Sequence, residues 1–164
     1  MAGVAVFDID GVLADVRHRL HHVERRPRDW DAFFAAAPED PVLAEGRRAV
    51  DQARESGCTI AYLTGRPERC RADTARWLAR HGFPAGDLLM RPDHDRRPAR
   101  DFKAEALGAL ADRSSLERFV DDDPQVVDAL AALGLPVVRA DWMDRAADGA
   151  GRTLDKVQEV EGRS

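Results

Sequence analysis

With 164 residues, 44% of them hydrophobic, and a net charge of −5 at pH 7, the chain is predicted to form one globular domain (residues 1–164) that does not coat long duplex nucleic acid. No apolar run reaches the length of a membrane helix and no basic segment precedes an apolar one, so we expect no membrane span, no signal peptide and a cytoplasmic location. The two cysteines, Cys58 and Cys70, do not form a CxxC motif, which argues against structural zinc.

Short apolar runs that predict β-strands alternate with segments of helical periodicity. The five strands are predicted at residues 4–7, 59–63, 88–90, 118–120 and 136–140, and the four helices at residues 45–56, 68–81, 102–112 and 124–133. Gly57, Gly82 and Gly134 come where three of these helices end, as left-handed helix ends require. Such alternation is typical of an α/β fold with a parallel sheet covered on both faces. We therefore predict a doubly wound, five-stranded, Rossmann-like parallel sheet.

Residues 14–44 interrupt this alternation directly after the first strand and predict a small helical insert. The segment RDWDAFFAAAPEDP indicates a short helix with Trp30, Phe33 and Phe34 on one side, ended by two prolines. We expect this aromatic stripe to pack on the domain, and a cap over a binding site is the alternative. Residues 149–164 are rich in glycine and charge, and we expect them to form a frayed tail.

Polar residues follow four of the predicted strands, at the edge of the sheet where ligands bind in such folds. Lys103 lies near the start of the helix that precedes the fourth strand. The residues that follow the strands are Asp8 and Asp10 after the first, Thr64, Gly65 and Arg66 after the second, Arg91 after the third, and Asp121, Asp122 and Asp123 after the fourth. We expect these side chains to converge on one site.

The first aspartate pair predicts a site for a divalent cation. In an extended chain Asp8 and Asp10 face one pocket unless the chain turns between them, which Gly11 permits. Two close carboxylates repel each other unless a cation or a proton lies between them. All-oxygen ligands suit Mg²⁺, which binds carboxylates together with waters and substrate phosphate.

The later acidic run strengthens this prediction. Asp123 precedes Pro124, and proline is favoured at the first position of a helix, so Asp123 is predicted to be an N-cap. Asp121 and Asp122 remain at the strand end as candidate ligands. Together with the first pair, they predict a cation site built from two strand ends.

The basic and hydroxyl residues of this set predict a phosphate site. A cation in the first turn of a helix opposes the helix dipole, and Lys103 follows Asp101, the predicted N-cap, so an anion is expected beside it. Thr64 and the backbone of Gly65 can donate hydrogen bonds to a phosphate, and Arg66 can bind one with two nitrogen atoms. Carboxylates on one side and Thr, Lys and Arg on the other describe a phosphoryl-transfer site.

Four motifs of this chain, in order, resemble those of the haloacid dehalogenase superfamily. They are DIDGVLAD, TGR, the lysine near the helix start, and VDDD. Within that superfamily the chain is most similar to the 3′-phosphatase domain of bacteriophage-type polynucleotide kinase-phosphatases. The segments that carry this closer resemblance are HRLHHVE, DWDAFFAA, LTGRPERCRADTARWLARHGFP, LLMRPDHDRR and FVDDDPQVVDALAALGLPVV.

The resemblance implies a Mg²⁺-dependent phosphomonoesterase that removes 3′-phosphates from polynucleotide ends. It implies that Asp8 is the nucleophile, which forms an aspartyl-phosphate, and that Asp10 is the general acid and base. The implied ligands of Mg²⁺ are the Asp8 carboxylate, the Asp10 carbonyl oxygen and Asp122, with Asp121 nearby. The implied phosphate-binding residues are Thr64, Gly65, Arg66, Lys103 and Arg19.

A basic groove beside the site is predicted from the segment MRPDHDRRPAR, which contains Arg91, Arg96 and Arg97. Such a groove can contact the backbone phosphates of a nucleic-acid strand whose 3′ end enters the site. The kinase motif GxxxxGK[ST] does not occur in these residues, so we expect them to lack the kinase half of the bifunctional relatives, and a separate kinase or ligase is the expected partner.

Two other functions share part of this pattern. A phosphatase for small molecules such as nucleotides or sugar phosphates uses the same chemistry, and the short insert, which leaves the site open, favours a macromolecular end over it. A receiver domain of a signalling pathway also combines acidic residues, Thr and Lys on a doubly wound sheet. Its lysine comes last, however, whereas Lys103 precedes the second acidic run.

Overall fold

The computed structural model describes residues 2–144, which form five strands and six α-helices. The strands are β1 (Val4–Phe7), β2 (Thr59–Pro67), β3 (Leu88–Arg91), β4 (Leu116–Asp121) and β5 (Val137–Arg139). The helices are α1 (His21–Glu24), α2 (Trp30–Ala35), α3 (Ala44–Glu55), α4 (Arg71–Arg80), α5 (Ala99–Ala111) and α6 (Pro124–Ala132). The tail predicted at residues 149–164 lies outside the described residues. Within residues 2–144, every helix is too short or too polar to cross a lipid bilayer.

The five strands form one parallel sheet in the order β3-β2-β1-β4-β5. This confirms the predicted five-stranded Rossmann-like sheet. The central strand β1 pairs with β2 on one side and with β4 on the other. The strand order reverses between β1 and β4, and in open α/β sheets such a switch point is where ligands bind beyond the strand ends.

Helices cover both faces of the sheet, and alternate residues of each strand point to opposite helical layers. Phe7 of β1 packs in one hydrophobic cluster with Val50 of α3 and Trp77 of α4. Val6 packs in a second cluster with residues of α5 and α6, among them Leu107. All four residues of β1 are buried, because both of its faces are covered. This explains why the strand is apolar throughout instead of alternating with polar residues.

The structure tests two predicted helix caps, those of α5 and α6. Asp123 caps α6 as predicted, since its side chain accepts a hydrogen bond from the Gln125 amide at 2.9 Å. The prediction that Asp101 caps the helix carrying Lys103 is wrong, because α5 begins at Ala99. The carbonyl oxygen of Pro98 accepts the first helical hydrogen bonds instead. Lys103 therefore lies in the second turn of α5, further from the positive end of the helix dipole than expected.

The segment between β1 and α3 contains α1, α2 and two short 3₁₀ turns, at residues 17–19 and 37–39. Its aromatic stripe is predicted to pack on the domain: Trp30, Phe33 and Phe34 are buried, but in a cluster formed mainly by the insert itself, with Leu20 and with Met143 from outside it. This third cluster lies apart from the two clusters on the faces of the sheet. The segment thus has its own small core beside the carboxyl edge of β1.

Candidate active site

A tight turn follows β1 and separates its two aspartates. The Asp8 amide donates to the Val120 carbonyl oxygen at 2.9 Å, so this residue continues the pairing of β1 with β4. The chain then turns, and the Leu13 amide donates back to the Ile9 carbonyl oxygen at 2.9 Å. As a result, the carboxylates of Asp8 and Asp10 face different partners, although their spacing in an extended strand would place them on the same side.

Asp8, Asp121 and Asp122 form a buried group at the switch point between β1 and β4, named here the acidic cluster. One carboxylate oxygen of each residue lies within 4.8 Å of the others, and each residue is at most 3% exposed. Lys103 Nζ, from α5, donates to Asp8 Oδ2 at 3.0 Å and to Asp121 Oδ2 at 2.7 Å. The structure thus brings together four of the predicted site residues from three separate parts of the chain.

Burial and neighbouring charges shift the pKa values of Asp8 and Lys103. Burial raises the pKa of the Asp8 carboxyl to about 7, although the nearby Lys103 acts in the opposite direction. Burial also acts to lower the pKa of Lys103, but the carboxylates of Asp121 and Asp8 outweigh it, so this pKa is raised and Lys103 stays charged. Among the described residues, one ammonium group therefore faces three carboxylates. The excess negative charge favours a bound cation.

The donor set of the acidic cluster fits Mg²⁺, which prefers carboxylate oxygens and completes its shell with waters and substrate phosphate. The turn after β1 also leaves room for one of the donors. Gly11 has φ +79°, and a Cβ atom at this position would lie 2.3 Å from Asp122 Oδ2. Glycine therefore permits both the left-handed backbone and the close approach of Asp122. The carbonyl oxygen of Asp10, the remaining predicted ligand, belongs to the same turn.

The Asp10 carboxylate belongs to a second buried group, named here the ion-pair network, with Asp40, Arg19 and Arg66. Asp10 Oδ1 accepts from Arg66 Nη2 at 2.5 Å and Nε at 3.0 Å, and from Arg19 Nη2 at 2.8 Å. Asp40 accepts two hydrogen bonds of 2.7 Å from Arg19 and one of 3.1 Å from Arg66. Each of the four residues is at most 1% exposed. Two carboxylates and two guanidinium groups therefore compensate each other.

The TGR motif forms a bulge at the carboxyl end of β2. Thr64 pairs with Met90 of β3, whereas Pro67 pairs with the next residue of β3, so the two residues between them leave the ladder. The buried Thr64 hydroxyl accepts a hydrogen bond from the Arg66 amide at 3.1 Å. Arg66 Nη1 also donates to Thr74 Oγ1 of α4 at 3.2 Å. A bulge of this kind changes the direction of side chains at a strand end, and here it lets Arg66 reach the ion-pair network.

The three arginines of the predicted basic groove have different surroundings. Arg91 is 2% exposed and donates to two backbone carbonyl oxygens, one of them that of Arg97. The Arg97 guanidinium pairs with Asp95 at 2.8 Å and with Glu105 at 2.7 Å. Arg96 is exposed and donates to a backbone carbonyl oxygen. The three guanidinium groups therefore do not line one exposed groove.

Asp40 is the residue of this region that the sequence did not single out. It stands between two prolines in the insert, where an aspartate looks like an ordinary loop residue. Its carboxylate also contacts His18 Nε2 at 2.6 Å, and its carbonyl oxygen accepts from the Trp77 indole at 2.8 Å. Two buried arginines require carboxylate partners, but Asp40 is 21 residues from Arg19 and 26 from Arg66. No local pattern links residues so far apart.

Several known proteins are similar to this chain. Residues 2–144 match a family model described as polynucleotide kinase PNKP phosphatase domain. A chain in the structure of the Pnkp1/Rnl/Hen1 complex is 27% identical, with a TM-score of 0.68, and the match covers 84% of this chain and 45% of that chain. The class C acid phosphatase from Bacillus anthracis is 16% identical, with a TM-score of 0.62, over 100% of this chain and 81% of that chain. The second similarity supports the fold alone.

A curated protein shares a shorter stretch. Membrane-associated phosphatidylinositol transfer protein 1 of Homo sapiens is 33% identical over 110 residues, and the proteins of Mus musculus and Rattus norvegicus match equally well. The match covers 65% of this chain and 9% of that protein. The chain therefore spans less than a tenth of the length of the curated relatives that it matches.

Proposed function

The chain belongs to the haloacid dehalogenase family of polynucleotide kinase PNKP phosphatase domains, and on that basis we propose that it is a Mg²⁺-dependent phosphomonoesterase that removes 3′-phosphates from polynucleotide ends. The observation that carries this proposal is the acidic cluster with Lys103 at the switch point of the sheet. It places a buried nucleophile candidate, Asp8, where a cation would compensate the excess negative charge and, once bound, attract a substrate phosphate.

In the first step, a carboxylate oxygen of Asp8 forms a bond to phosphorus while the bond between phosphorus and the 3′ ester oxygen breaks. Asp10, a carboxylate in the ion-pair network, must bind a proton before this step, and the leaving oxygen takes that proton from it as from a general acid. The products are an aspartyl-phosphate on Asp8 and a free 3′-hydroxyl end. Because Asp8 follows β1 directly and its amide donates to β4, the attacking oxygen is positioned by the central strand of the sheet.

In the second step, Asp10 takes a proton from a water molecule whose oxygen attacks the phosphorus of the aspartyl-phosphate. The bond between phosphorus and Asp8 breaks, and inorganic phosphate leaves. The same carboxyl group thus gives a proton and later accepts one, so the enzyme returns to its starting state.

Mg²⁺, held by the Asp8, Asp121 and Asp122 carboxylates and the Asp10 carbonyl oxygen, would neutralise charge on the phosphoryl oxygens. Lys103 already neutralises part of the charge of Asp8 and Asp121, and its ammonium group has a further hydrogen to donate to the phosphoryl group. Thr64 and Gly65, at the end of the neighbouring strand β2, supply the hydroxyl and backbone donors on the other side.

We assign a positioning role to Arg19 and Arg66, because both guanidinium groups donate to Asp10 Oδ1. Asp40 in turn binds both arginines, and the Nη2 atom of each arginine donates to Asp40 Oδ2 as well as to Asp10 Oδ1. Rigidly held donors of this kind cost no reorganisation during the reaction. The ion-pair network therefore orients the general acid. The substrate phosphate would be bound by hydrogen bonds from Thr64 and Lys103 and by the cation of the acidic cluster.

The reaction also suggests which enzymes act beside this one. Removing a 3′-phosphate leaves a 3′-hydroxyl, which is the end that a ligase joins to a 5′-phosphate supplied by a kinase. The similar chain comes from a structure of the Pnkp1/Rnl/Hen1 complex, and the match covers 45% of that chain. We therefore propose that a separate kinase or ligase acts on the same ends.

The experiment that tests the proposal compares three substrates at equal concentration: a single-stranded oligonucleotide with a 3′-phosphate, the same oligonucleotide with a 5′-phosphate, and glucose 6-phosphate. Phosphate release is measured in Mg²⁺ and in excess chelator, for the wild type, for Asp10→Asn and for the matched surface variant Asp128→Asn, whose residue is exposed on α6.

We expect the 3′-phosphate to be hydrolysed with the highest kcat/KM, the chelator and Asp10→Asn to abolish most activity, and Asp128→Asn to behave as the wild type. Full activity in chelator would contradict the role of Mg²⁺. Equal rates on both oligonucleotide ends, or a preference for the sugar phosphate, would contradict the polynucleotide substrate and support a phosphatase for small molecules.

A further inference from the structure

His18 contacts the ion-pair network from the surface of the insert, and no step of the reaction proposed above uses it. Its side chain is 37% exposed, whereas the side chain of Asp40 is fully buried. Its Nε2 atom lies 2.6 Å from Asp40 Oδ1. His18 is therefore placed between solvent and the carboxylate that binds both buried arginines of the network.

The local backbone holds both partners of this contact in place. His18 lies in the first 3₁₀ turn of the insert, which the Arg19 amide closes with a hydrogen bond of 3.0 Å. On the other side, the Asp40 amide donates to the Ala37 carbonyl oxygen at 3.0 Å, and the Asp40 carbonyl oxygen accepts from the Trp77 indole at 2.8 Å. Consecutive residues of one turn, His18 and Arg19, thus bind the same carboxylate.

The Asp40 carboxylate accepts four hydrogen bonds, two on each oxygen. Oδ1 accepts from His18 Nε2 at 2.6 Å and from Arg19 Nε at 2.7 Å. Oδ2 accepts from the Nη2 atoms of Arg19 at 2.7 Å and Arg66 at 3.1 Å. A carboxylate has about four lone-pair positions, so these bonds use all of them. Loss of the bond from His18 would leave one position of Oδ1 empty and let the carboxylate rotate.

The contact also defines the tautomer of His18. A carboxylate that pairs with two guanidinium groups has no proton to donate, so the hydrogen of this bond lies on Nε2 of the imidazole. A further proton would bind at Nδ1. The Nε2 atom of His18 therefore donates to Asp40 whether the imidazole is neutral or charged.

We infer that His18 is a positioning residue for the general acid Asp10. Its hydrogen bond fixes Asp40 in the orientation in which Oδ2 binds the Nη2 atoms of Arg19 and Arg66. The same two Nη2 atoms donate to Asp10 Oδ1. The effect of His18 on the reaction therefore passes through Asp40 and the two arginines.

The inference rests on the phosphomonoesterase of the proposed function. It does not depend on the polynucleotide substrate, because any phosphate ester with an alcohol as leaving group needs a proton from Asp10. A 3′-phosphorylated oligonucleotide and glucose 6-phosphate both have such a leaving group. The leaving group of p-nitrophenyl phosphate needs little protonation, so this ester reports on the remaining steps.

The test measures kcat and KM on these three substrates for two variants of His18. His18→Leu removes the donor and fills part of the space of the imidazole, which hinders replacement by water. His18→Gln keeps a donor, because its amide nitrogen reaches about the position of Nε2. His21→Leu is the matched control, since His21 is an exposed histidine of the same insert whose ring contacts His22.

We expect His18→Leu to lower kcat on the 3′-phosphorylated oligonucleotide by about 3- to 10-fold, through misplacement of the general acid. KM and the kcat on p-nitrophenyl phosphate should change less. The loss should be smaller than in Asp40→Asn, because Asp40 keeps three of its four hydrogen bonds. His18→Gln should restore most of the loss, and His21→Leu should behave as the wild type. Melting temperatures check that each variant is folded.

The double variant His18→Leu and Asp40→Asn tests the route of the effect. If His18 acts through Asp40, the double variant should have the kcat of Asp40→Asn alone, because a residue has no further effect once its partner is lost. If the two residues act independently, their fold-losses multiply.

Four results overturn the inference: no loss in His18→Leu, an equal loss on p-nitrophenyl phosphate, a loss that His18→Gln does not reduce, and losses that multiply in the double variant. None of them contradicts the proposed function if the 3′-phosphorylated oligonucleotide stays the best substrate. If glucose 6-phosphate is the better substrate, the polynucleotide substrate is wrong and the same comparison on glucose 6-phosphate decides the role of His18. If no phosphate ester is hydrolysed, the proposed function and the inference both fail.

Discussion

The acidic cluster and the ion-pair network lie on either side of one turn, yet they compensate buried charge in opposite ways. In the network, two carboxylates meet two guanidinium groups at distances of 2.5 to 3.1 Å. In the cluster, three carboxylates meet one ammonium group among the described residues. A buried group with excess charge costs free energy unless an ion joins it, whereas a balanced group is complete without one.

The difference teaches how two aspartates separated by one residue acquire different roles. Asp8 stays in line with β1 and joins the unbalanced group, so it is placed where a cation and a phosphate bind. Asp10 lies beyond the first residue of the turn and is held by Arg19 and Arg66. The account therefore assigns bond formation and metal binding to the cluster and orientation of the proton donor to the network.

The largest expected effect comes from Asp8→Asn, which removes the nucleophile and one charge of the unbalanced group. We expect kcat/KM to fall by more than about 10³-fold, while at pH 8 in chelator the melting temperature does not fall, because burial makes this charge costly. Steady-state kinetics and thermal unfolding measure the two effects. A variant that keeps a tenth of the activity, or that unfolds at a lower temperature, would show that Asp8 belongs to a balanced structural group.

Lys103→Met removes the cation that pairs with the acidic cluster, and Arg66→Met removes one cation of the ion-pair network. Breaking a buried pair costs about 3–5 kcal/mol, so both variants should lose unfolding free energy in urea. Only Lys103→Met should recover part of the loss in Mg²⁺, since only the cluster binds the ion. Its kcat/KM should fall by about 10²- to 10³-fold, as for other lost electrostatic contacts. Equal recovery of both variants in Mg²⁺ would contradict the distinction.

Asp40→Asn tests whether the ion-pair network positions Asp10. Loss of the charge that binds Arg19 and Arg66 should lower kcat by about 10- to 100-fold through misplacement of the general acid, with a smaller change in KM. The loss should be larger for a nucleotide 3′-phosphate than for p-nitrophenyl phosphate, whose leaving group needs little protonation. An equal loss on both substrates would indicate a structural role for Asp40 alone.

Gly11→Ala has the smallest expected effect and has a matched control in Gly134→Ala. The two glycines have φ of +79° and +78°, but a Cβ atom at Gly134 meets nothing within 4 Å, whereas one at Gly11 approaches Asp122. The left-handed backbone should cost about 1–2 kcal/mol of unfolding free energy in each variant. Only Gly11→Ala should also weaken the response to Mg²⁺. Identical Mg²⁺ responses would mean that Asp122 is not a ligand.

The sheet and the acidic cluster could be predicted because their signals are local. VAVF is apolar on both faces, so it indicates a covered parallel strand, and Asp8, Asp121 and Asp122 follow two strands whose ends must meet in such a sheet. The cap at Asp123 was predictable for the same reason, because the proline that follows it marks the helix start.

The ion-pair network could not be predicted, because it depends on contacts between distant segments. The sequence offers Asp8 and Asp10 as equivalent carboxylates, and only the turn at Gly11 sends the second one towards Arg19 and Arg66. Asp40 is brought to these arginines by the packing of the insert. Arg91 shows the same limit: in the sequence it belongs to a basic run, but in the fold it is buried against backbone carbonyl oxygens.

The measurement that tests the central claim most directly is the Mg²⁺ dependence of the melting temperature for the wild type, Asp122→Asn and Asp40→Asn. At 100 times its Kd, a ligand of the folded state stabilises it by about 2.7 kcal/mol, which raises Tm by several degrees in a chain of this size. The account predicts this rise for the wild type and for Asp40→Asn, and its loss in Asp122→Asn. No rise in the wild type, or a rise that survives in Asp122→Asn, would contradict the assignment of the cation to the acidic cluster.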